Sequence, residues 1–302
     1  MSTFWQGVLP AITTPFLDNG EVDHAFLAQH VRLMMDAGST GIVPLGSLGE
    51  TATLSFEEKR AVLRTVVTAV AGRGAVVPGV AALATRDAVA FAQMAQAEGC
   101  QGLMVLPPYV YSTDWREMKA HVSAVIAATT LPCMLYNNPI AYKTDFSALQ
   151  MKELAEQHAN LVAVKESSAD VRRIAAIKAA LGQRLHILVG VDDLIVEGIA
   201  AGATGWVAGL VNAFPHESIA LFKLARAHRW AEAEPLYHWF LPLLRMDVVP
   251  KFVQLIKLVQ SRVGMGRATV RAPRLMLVGD ELEQANAIIT QALASKPTEP
   301  AC

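Results

Sequence analysis

The chain has 302 residues, 53% hydrophobic and 18% charged, a balance that excludes an intrinsically disordered protein and allows a large buried core. Its 26 Lys and Arg against 27 Asp and Glu leave no electrostatic footprint for nucleic acid or an anionic membrane, and point to a small-molecule partner. Cys100, Cys133 and Cys302 have neither metal-ligand spacing nor the even count of a disulfide framework.

The opening MSTFWQGVLPAITTPF lacks the basic and apolar regions of a secretory leader, and no apolar run approaches the ~18 residues of a membrane span. A cytoplasmic protein is expected. Short apolar runs recur at 7–12, 41–45, 75–80, 102–106, 132–136, 161–165, 185–189 and 205–208. Each reads as a strand buried on both faces, as in a parallel sheet covered by helices. The stretches between them carry helical signals. Ser55-Phe56-Glu57-Glu58 is a capping box leading into Val62, Val66 and Val70. Thr85 and Asp114 open two more helices, running to about Glu98 and Ala128. Gly38, Gly72, Gly99 and Gly202 stand where left-handed C-terminal caps are needed.

Eight strand–helix units predict an α/β fold, a closed (β/α)8 barrel, over residues 1–228. No Gly-x-Gly-x-x-Gly follows the first strand, which counts against a dinucleotide-binding sheet. From 229 to 296 the pattern is helical only, with helices at 230–244, 249–263 and 280–293 broken by Gly264-Met265-Gly266 and Arg271-Ala272-Pro273; this predicts a C-terminal helical appendage. Residues 297–302, PTEPAC, read as a disordered tail.

Functional groups of such a barrel stand at the C-terminal ends of its strands. Lys165 ends the sixth run directly after Leu161-Val162-Ala163-Val164, Tyr136 ends the fifth, and Gly46-Ser47-Leu48-Gly49-Glu50 follows the second. All three should meet at one mouth. A buried amine loses its proton more easily, and a neutral lysine attacks carbonyls to form an imine that acts as an electron sink. The plainer meaning of Lys165 is a solvated strand end. Tyr136 could carry the proton that imine chemistry moves, or simply fill the mouth. The Gly-x-x-Gly loop offers backbone N–H groups to a carboxylate, or is only a tight turn.

The motifs GSLGE at 46–50, YNNP at 136–139 and VAVKESS at 162–168 resemble those of the dihydrodipicolinate synthase and N-acetylneuraminate lyase family. The likeness runs from GVLPAITTPF at 7–16 through GVDD at 190–193 to RAPRLMLVGDELE at 271–283. It implies a lyase that uses neither metal nor cofactor, in which Lys165 forms the Schiff base with a 2-oxo acid. Tyr136 would then be the proton-transfer phenol and Ser47 part of its hydroxyl relay. The Ser47 and Leu48 backbone, between Gly46 and Gly49, would hold the substrate carboxylate, and the chain near Val207 would line the imine pocket. The same likeness implies a homo-oligomer, tetramer or dimer.

The sequence departs from the synthase pattern at Leu48, where synthases place a threonine, and at Ala141, where they place an arginine for the second substrate's carboxylate. Synthases also pass a tyrosine across a subunit interface at about Val110, which Tyr109 and Tyr111 flank here. Condensation in the diaminopimelate pathway is therefore disfavoured, and a non-synthase branch is expected. Leu48, Val110, Ala141 and Trp206 would make a mouth too apolar for a long sugar acid, whose hydroxyls would be buried unpaired. A small 2-oxo acid or cyclic imine fits better, the most specific expectation being 4-hydroxy-1-pyrroline-2-carboxylate deamination. A 2-keto-3-deoxy sugar acid aldolase, the synthase itself, and a noncatalytic acid-binding barrel remain alternatives. A metal-dependent lyase would need ligands at the strand tops, where only His216 and Asp192-Asp193 fall. A phosphosugar aldolase could use Gly190, Gly205 and Gly209, but no Lys or Arg accompanies them at 190–193 or 205–214.

Overall fold

A computed structural model describes residues 3–108 and 114–297. The eight apolar runs all become parallel strands: β1 (Val8–Pro10), β2 (Gly41–Ile42), β3 in two pieces (Ala75–Val76 and Gly79–Val80), β4 (Leu103–Val105), β5 (Cys133–Asn137), β6 (Leu161–Glu166), β7 (His186–Val189) and β8 (Gly205–Ala208). Pairing runs continuously from the second piece of β3 through β4, β5, β6, β7 and β8 to β1, while the first piece of β3 pairs with β2.

Hydrogen bonds outside the regular ladders close the ring. Thr40 N donates to Val8 O (3.0 Å), Val43 N to Pro10 O (2.8 Å) and Ile12 N to Val43 O (3.1 Å), joining β2 to β1. The predicted third strand is interrupted because Pro78 has no N–H to donate. Its neighbours keep the ladder going: Val77 N donates to Ile42 O (2.9 Å) and Gly79 N to Pro44 O (2.9 Å). The result is a closed (β/α)8 barrel with the core inside the strands and between strands and helices.

Local sequence explains the helices. In α1 (His24–Asp36) the buried positions Leu27, His30, Val31, Met34 and Met35 follow the helical period. The Asp23 carboxylate caps it by accepting from Phe26 N (2.9 Å). The capping box of α2 (Phe56–Val70) forms, Glu58 N donating to Ser55 Oγ and Ser55 N to Glu58 Oε2. Helix α3 (Thr85–Ala97) differs from expectation: Thr85 lies inside its first turn, no side chain caps it, and the Thr85 hydroxyl bonds His121 Nδ1 instead (3.0 Å). Asp114 does cap α4 (Trp115–Ala127). Gly38, Gly72, Gly99 and Gly202 all have positive φ, between +75° and +109°, as left-handed caps require.

A short α5 (Pro139–Tyr142) precedes α6 (Ala148–Gln157), followed by α7 (Arg172–Leu181), α8 (Ile195–Ala200) and α9 (Pro215–Arg226). Beyond the barrel lie α10 (Trp230–Leu244), α11 (Phe252–Arg262) and α12 (Gly279–Ala294). Helix α11 begins later than the sequence pattern suggests because Pro250 disfavours helical backbone at Val249. Trp239 Nε1 ties α10 to α12 through Ala292 O (2.8 Å). Gln260 on α11 accepts from Thr13 Oγ1 (2.9 Å), fastening that helix to the loop after β1. Among the described residues no helix is long and apolar enough to cross a membrane.

Candidate active site

Parallel register sets Lys165 on β6 between Tyr136 on β5 and Leu188 on β7. Burial leaves Lys165 only 7% exposed. Its Nζ stands 4.3 Å from the centroid of the Tyr136 ring. Loss of solvent favours the neutral amine and brings its pKa down to about 8, against the opposing pull of the Asp247 and Asp192 carboxyls. The lysine stem has room only because residue 190 is glycine: a Cβ there would lie 2.5 Å from Lys165 Cε and 2.7 Å from Cγ. Ser167 Oγ donates to Gly190 O (3.0 Å) and braces the same spot.

Tyr136 is also buried, and its phenol oxygen accepts from Asn138 Nδ2 (3.0 Å). Burial pushes its pKa up; Asn138 and Ser167 pull it down by hydrogen bonding, while the charges of Asp247 and Glu166 raise it further. Tyr142 packs edge-on against it, ring centroids 5.7 Å apart. Ser47 Oγ is hydrogen-bonded to the Tyr142 hydroxyl. The loops after β2 and β5 are thereby joined through their hydroxyls.

The loop after β2 is held from below. Glu50, fully buried and in a left-handed conformation (φ 53°), forms an ion pair with Lys257 of α11, Nζ to Oε1 2.5 Å. Its other oxygen accepts from Arg271 N (3.1 Å). Gly49 packs so closely that a Cβ would come 3.1 Å from both Ile12 O and Leu45 N, whereas at Gly46 it would meet only Met104 Cε at 3.5 Å. Among the described residues nothing accepts from the N–H groups of Ser47 and Leu48, so the expected carboxylate nest has open donors. The Leu48 residue itself is 3% exposed. Val207 is buried on β8, paired with Leu9 of β1 and two strands from that of Lys165. Ala141 is exposed on α5. Tyr109, Val110 and Tyr111 fall outside the described residues, as do 298–302 of the expected tail.

Two carboxyl groups in the mouth were not foreseen as partners of the lysine. Asp192, fully buried, accepts from Trp206 Nε1 (2.9 Å), Gly209 N (3.0 Å) and Leu210 N (2.7 Å). Burial lifts its pKa to about 6 in spite of those donors. Trp206 is therefore not an apolar wall of the mouth: it is 0% exposed and its polar edge serves Asp192. The N–H groups a phosphate would need after β8 are also taken by that carboxylate. Asp247, in the single turn Arg245–Asp247 after α10, lays its carboxyl on the Cα of Gly209, where any Cβ would overlap it. Nothing in the barrel cadence places a residue of the C-terminal helices here. The sequence offers Asp192 only through the GVDD stretch of the family likeness and through its place near the strand tops. Among the described residues no three His, Cys, Asp or Glu side chains converge as a metal site.

The model of the dihydrodipicolinate synthetase family matches residues 4–292. The chain is 29% identical over 289 residues to the 4-hydroxy-tetrahydrodipicolinate synthase of Methanococcus maripaludis strain C5, spanning 95% of this chain and 99% of that protein. Among solved structures it superposes on the 4-hydroxy-tetrahydrodipicolinate synthase of Methylacidiphilum fumariolicum with a TM-score of 0.90 and 29% identity, over 96% of this chain and 97% of that one. A prophage protein of the dihydrodipicolinic acid synthase family from E. coli, solved with pyruvate, matches with a TM-score of 0.89 and 26% identity, over 95% and 98% of the two chains.

Proposed function

The chain belongs to the dihydrodipicolinate synthetase family of lysine-imine lyases, and from that premise we propose that Lys165 Nζ attacks the carbonyl of a small 2-oxo acid or the imine carbon of its cyclic form. The observation that carries the reading is an amine at a strand end, buried against a phenol, with its pKa held down to about 8. A neutral fraction is then present near pH 7 to act as nucleophile. The new imine withdraws electrons from C2, so the C3 proton becomes acidic and a group on C4 can leave. Tyr136 moves protons at the carbinolamine, and the open Ser47 and Leu48 N–H groups receive the substrate carboxylate. Support for a 2-oxo acid comes from the pyruvate held by the related prophage protein.

The substrate we favour is a five-membered cyclic imine such as 4-hydroxy-1-pyrroline-2-carboxylate, which would exchange its imine for that of Lys165 and lose water and ammonia. Ala141 does not supply the cation that a second substrate's carboxylate would require, and Leu48 lacks the hydroxyl that a synthase threonine would offer. The curated relative's name favours a second reading, the synthase reaction itself. We further assign the protein to the cytoplasm as a homo-oligomer, dimer or tetramer. The deciding experiment is borohydride reduction in the presence of pyruvate, followed by a panel of 4-hydroxy-2-oxo acids and pyrrolines assayed for release of water, ammonia or pyruvate. An adduct on the Lys165 peptide, absent in Lys165→Ala, is expected. Tyr136→Phe should slow turnover by about 10²–10⁴-fold with the fold intact. Normal turnover by Lys165→Ala would reject the mechanism.

A further inference from the structure

Asp247 reaches the barrel mouth from outside the barrel. It ends the turn between α10 and α11, and its carboxyl rests on Gly209, whose N–H is bonded to Asp192. Three groups of other elements are electrostatically linked to it: Lys165 of β6, Asp192 after β7 and Tyr136 of β5. Asp193 also acts on it, while Arg245 of its own turn pairs with Asp193 (3.8 Å). Unlike Asp192, the Asp247 carboxyl accepts no hydrogen bond from the described residues. It is the one acid of the mouth, among those residues, whose oxygens are left for a ligand.

We propose that Asp247 is the general acid that protonates a hydroxyl leaving from C4 of the lysine-bound substrate, so that the site carries out a dehydration. This rests on the lysine-imine reading. Tyr136 covers the lysine from the β5 side, and Asp247 enters from the β8 side, so the carbons beyond C3 run between a phenol and a carboxyl. Burial and the charge of Asp192 keep the Asp247 proton in place well above the usual carboxylate range, giving a neutral donor at working pH. Once C3 has lost its proton, the nitrogen lone pair re-forms the C2=N bond and the C2=C3 pair moves to C3–C4. The C4–O bond breaks, and the oxygen takes the Asp247 proton and departs as water. The C3 proton is taken by the Tyr136 phenolate that carbinolamine breakdown leaves, and Asp247 regains its proton when hydrolysis of the imine frees Lys165, so the elimination itself loses one water and consumes no other reagent.

The test uses the full chain and its Asp247→Asn variant with three probes. Pyruvate reports imine formation by borohydride trapping and C3 deprotonation by exchange in deuterated water. The pyrroline 4-hydroxy-1-pyrroline-2-carboxylate reports loss of water, and its 4-fluoro counterpart reports loss of fluoride, which needs no full protonation to leave. In Asp247→Asn, trapping and exchange should stay within about threefold of the parent, water loss should fall by about 10²–10⁴-fold and fluoride loss by less than about tenfold. Equal losses on the two pyrrolines, unchanged water loss, or lost exchange with trapping intact would each overturn the assignment. A parent protein that traps pyruvate yet eliminates neither group overturns it too, whereas a parent that traps nothing fails earlier, at the imine.

Discussion

Lys165→Met is expected to stabilise the fold while abolishing imine formation. In the folded chain the amine keeps its proton only up to about 8, against a reference of 10.5. The unfolded state therefore binds more protons between those values, and stability rises with pH through that window. At pH 7 the charged amine sits buried at a cost, offset in part by the Asp192 carboxylate. A shift of this size corresponds to about 3 kcal/mol at pH 7 and about 1.5 kcal/mol near pH 9.5. Methionine fills a similar volume without the charge, so it should recover up to those amounts, less any attraction lost to the Asp192 carboxylate. Urea denaturation at both pH values measures the gain. A variant no more stable than the parent at pH 7, or a gain that does not shrink with rising pH, would refute the view that burial sets the reactivity of this amine.

Two further outcomes follow from buried charge elsewhere. Lys257→Met removes the nearest ion-pair partner of buried Glu50 (2.5 Å in the parent) and should cost about 3–5 kcal/mol in urea denaturation; a loss below about 1 kcal/mol would show that Arg271 N and the Arg274 guanidinium, 3.8 Å from Glu50 Oε2, suffice. His30, buried on α1, has its pKa lowered to about 4 by desolvation. It folds as the neutral ring while the unfolded ring gains a proton below about 6.5, so stability should fall by about 3 kcal/mol as pH drops from about 6.5 to about 4. His30→Gln should flatten that part of the stability profile, and an unchanged slope would assign the acid sensitivity to other groups.

Strand ends were the most legible part of the sequence because buried parallel strands are uniformly apolar and a polar residue after such a run stands out. Lys165 and Tyr136 could be placed at one mouth from that fact alone, and their register pairing follows from adjacent strands. The capping box of α2 was equally legible, since its signal is confined to four residues. Interactions between distant segments were not. Glu50 and Lys257 are 207 residues apart, and no local pattern announces that the loop after β2 is anchored by α11. Trp206 looked like a wall of the pocket because strand periodicity does not reveal a partner for its indole N–H. Asp247 belongs to a turn between two helices of the C-terminal segment, and only packing of that segment over the mouth brings its carboxyl to Gly209.

Asp192 and Asp247 both act electrostatically on one amine, and hydrogen bonding separates their roles. Three N–H donors converge on Asp192 and stabilise its anion, whereas no described residue donates to Asp247. The first carboxyl is then the standing negative charge beside Lys165 and the second the group that keeps a proton, the kind of split by which environment assigns acid and anion within one site. Asp192→Asn tests the first half. Its amide cannot reproduce the negative charge that raises the Lys165 pKa, so that pKa should fall further below 8 and the pH profile of pyruvate trapping should move towards acid. Loss of the charge-assisted bonds to Gly209 and Leu210 should also lower stability by about 1.5–3 kcal/mol. A trapping profile that stays in place, in a variant that still folds, would mean that Asp192 only secures the end of β8 and that Asp247 carries negative charge after all.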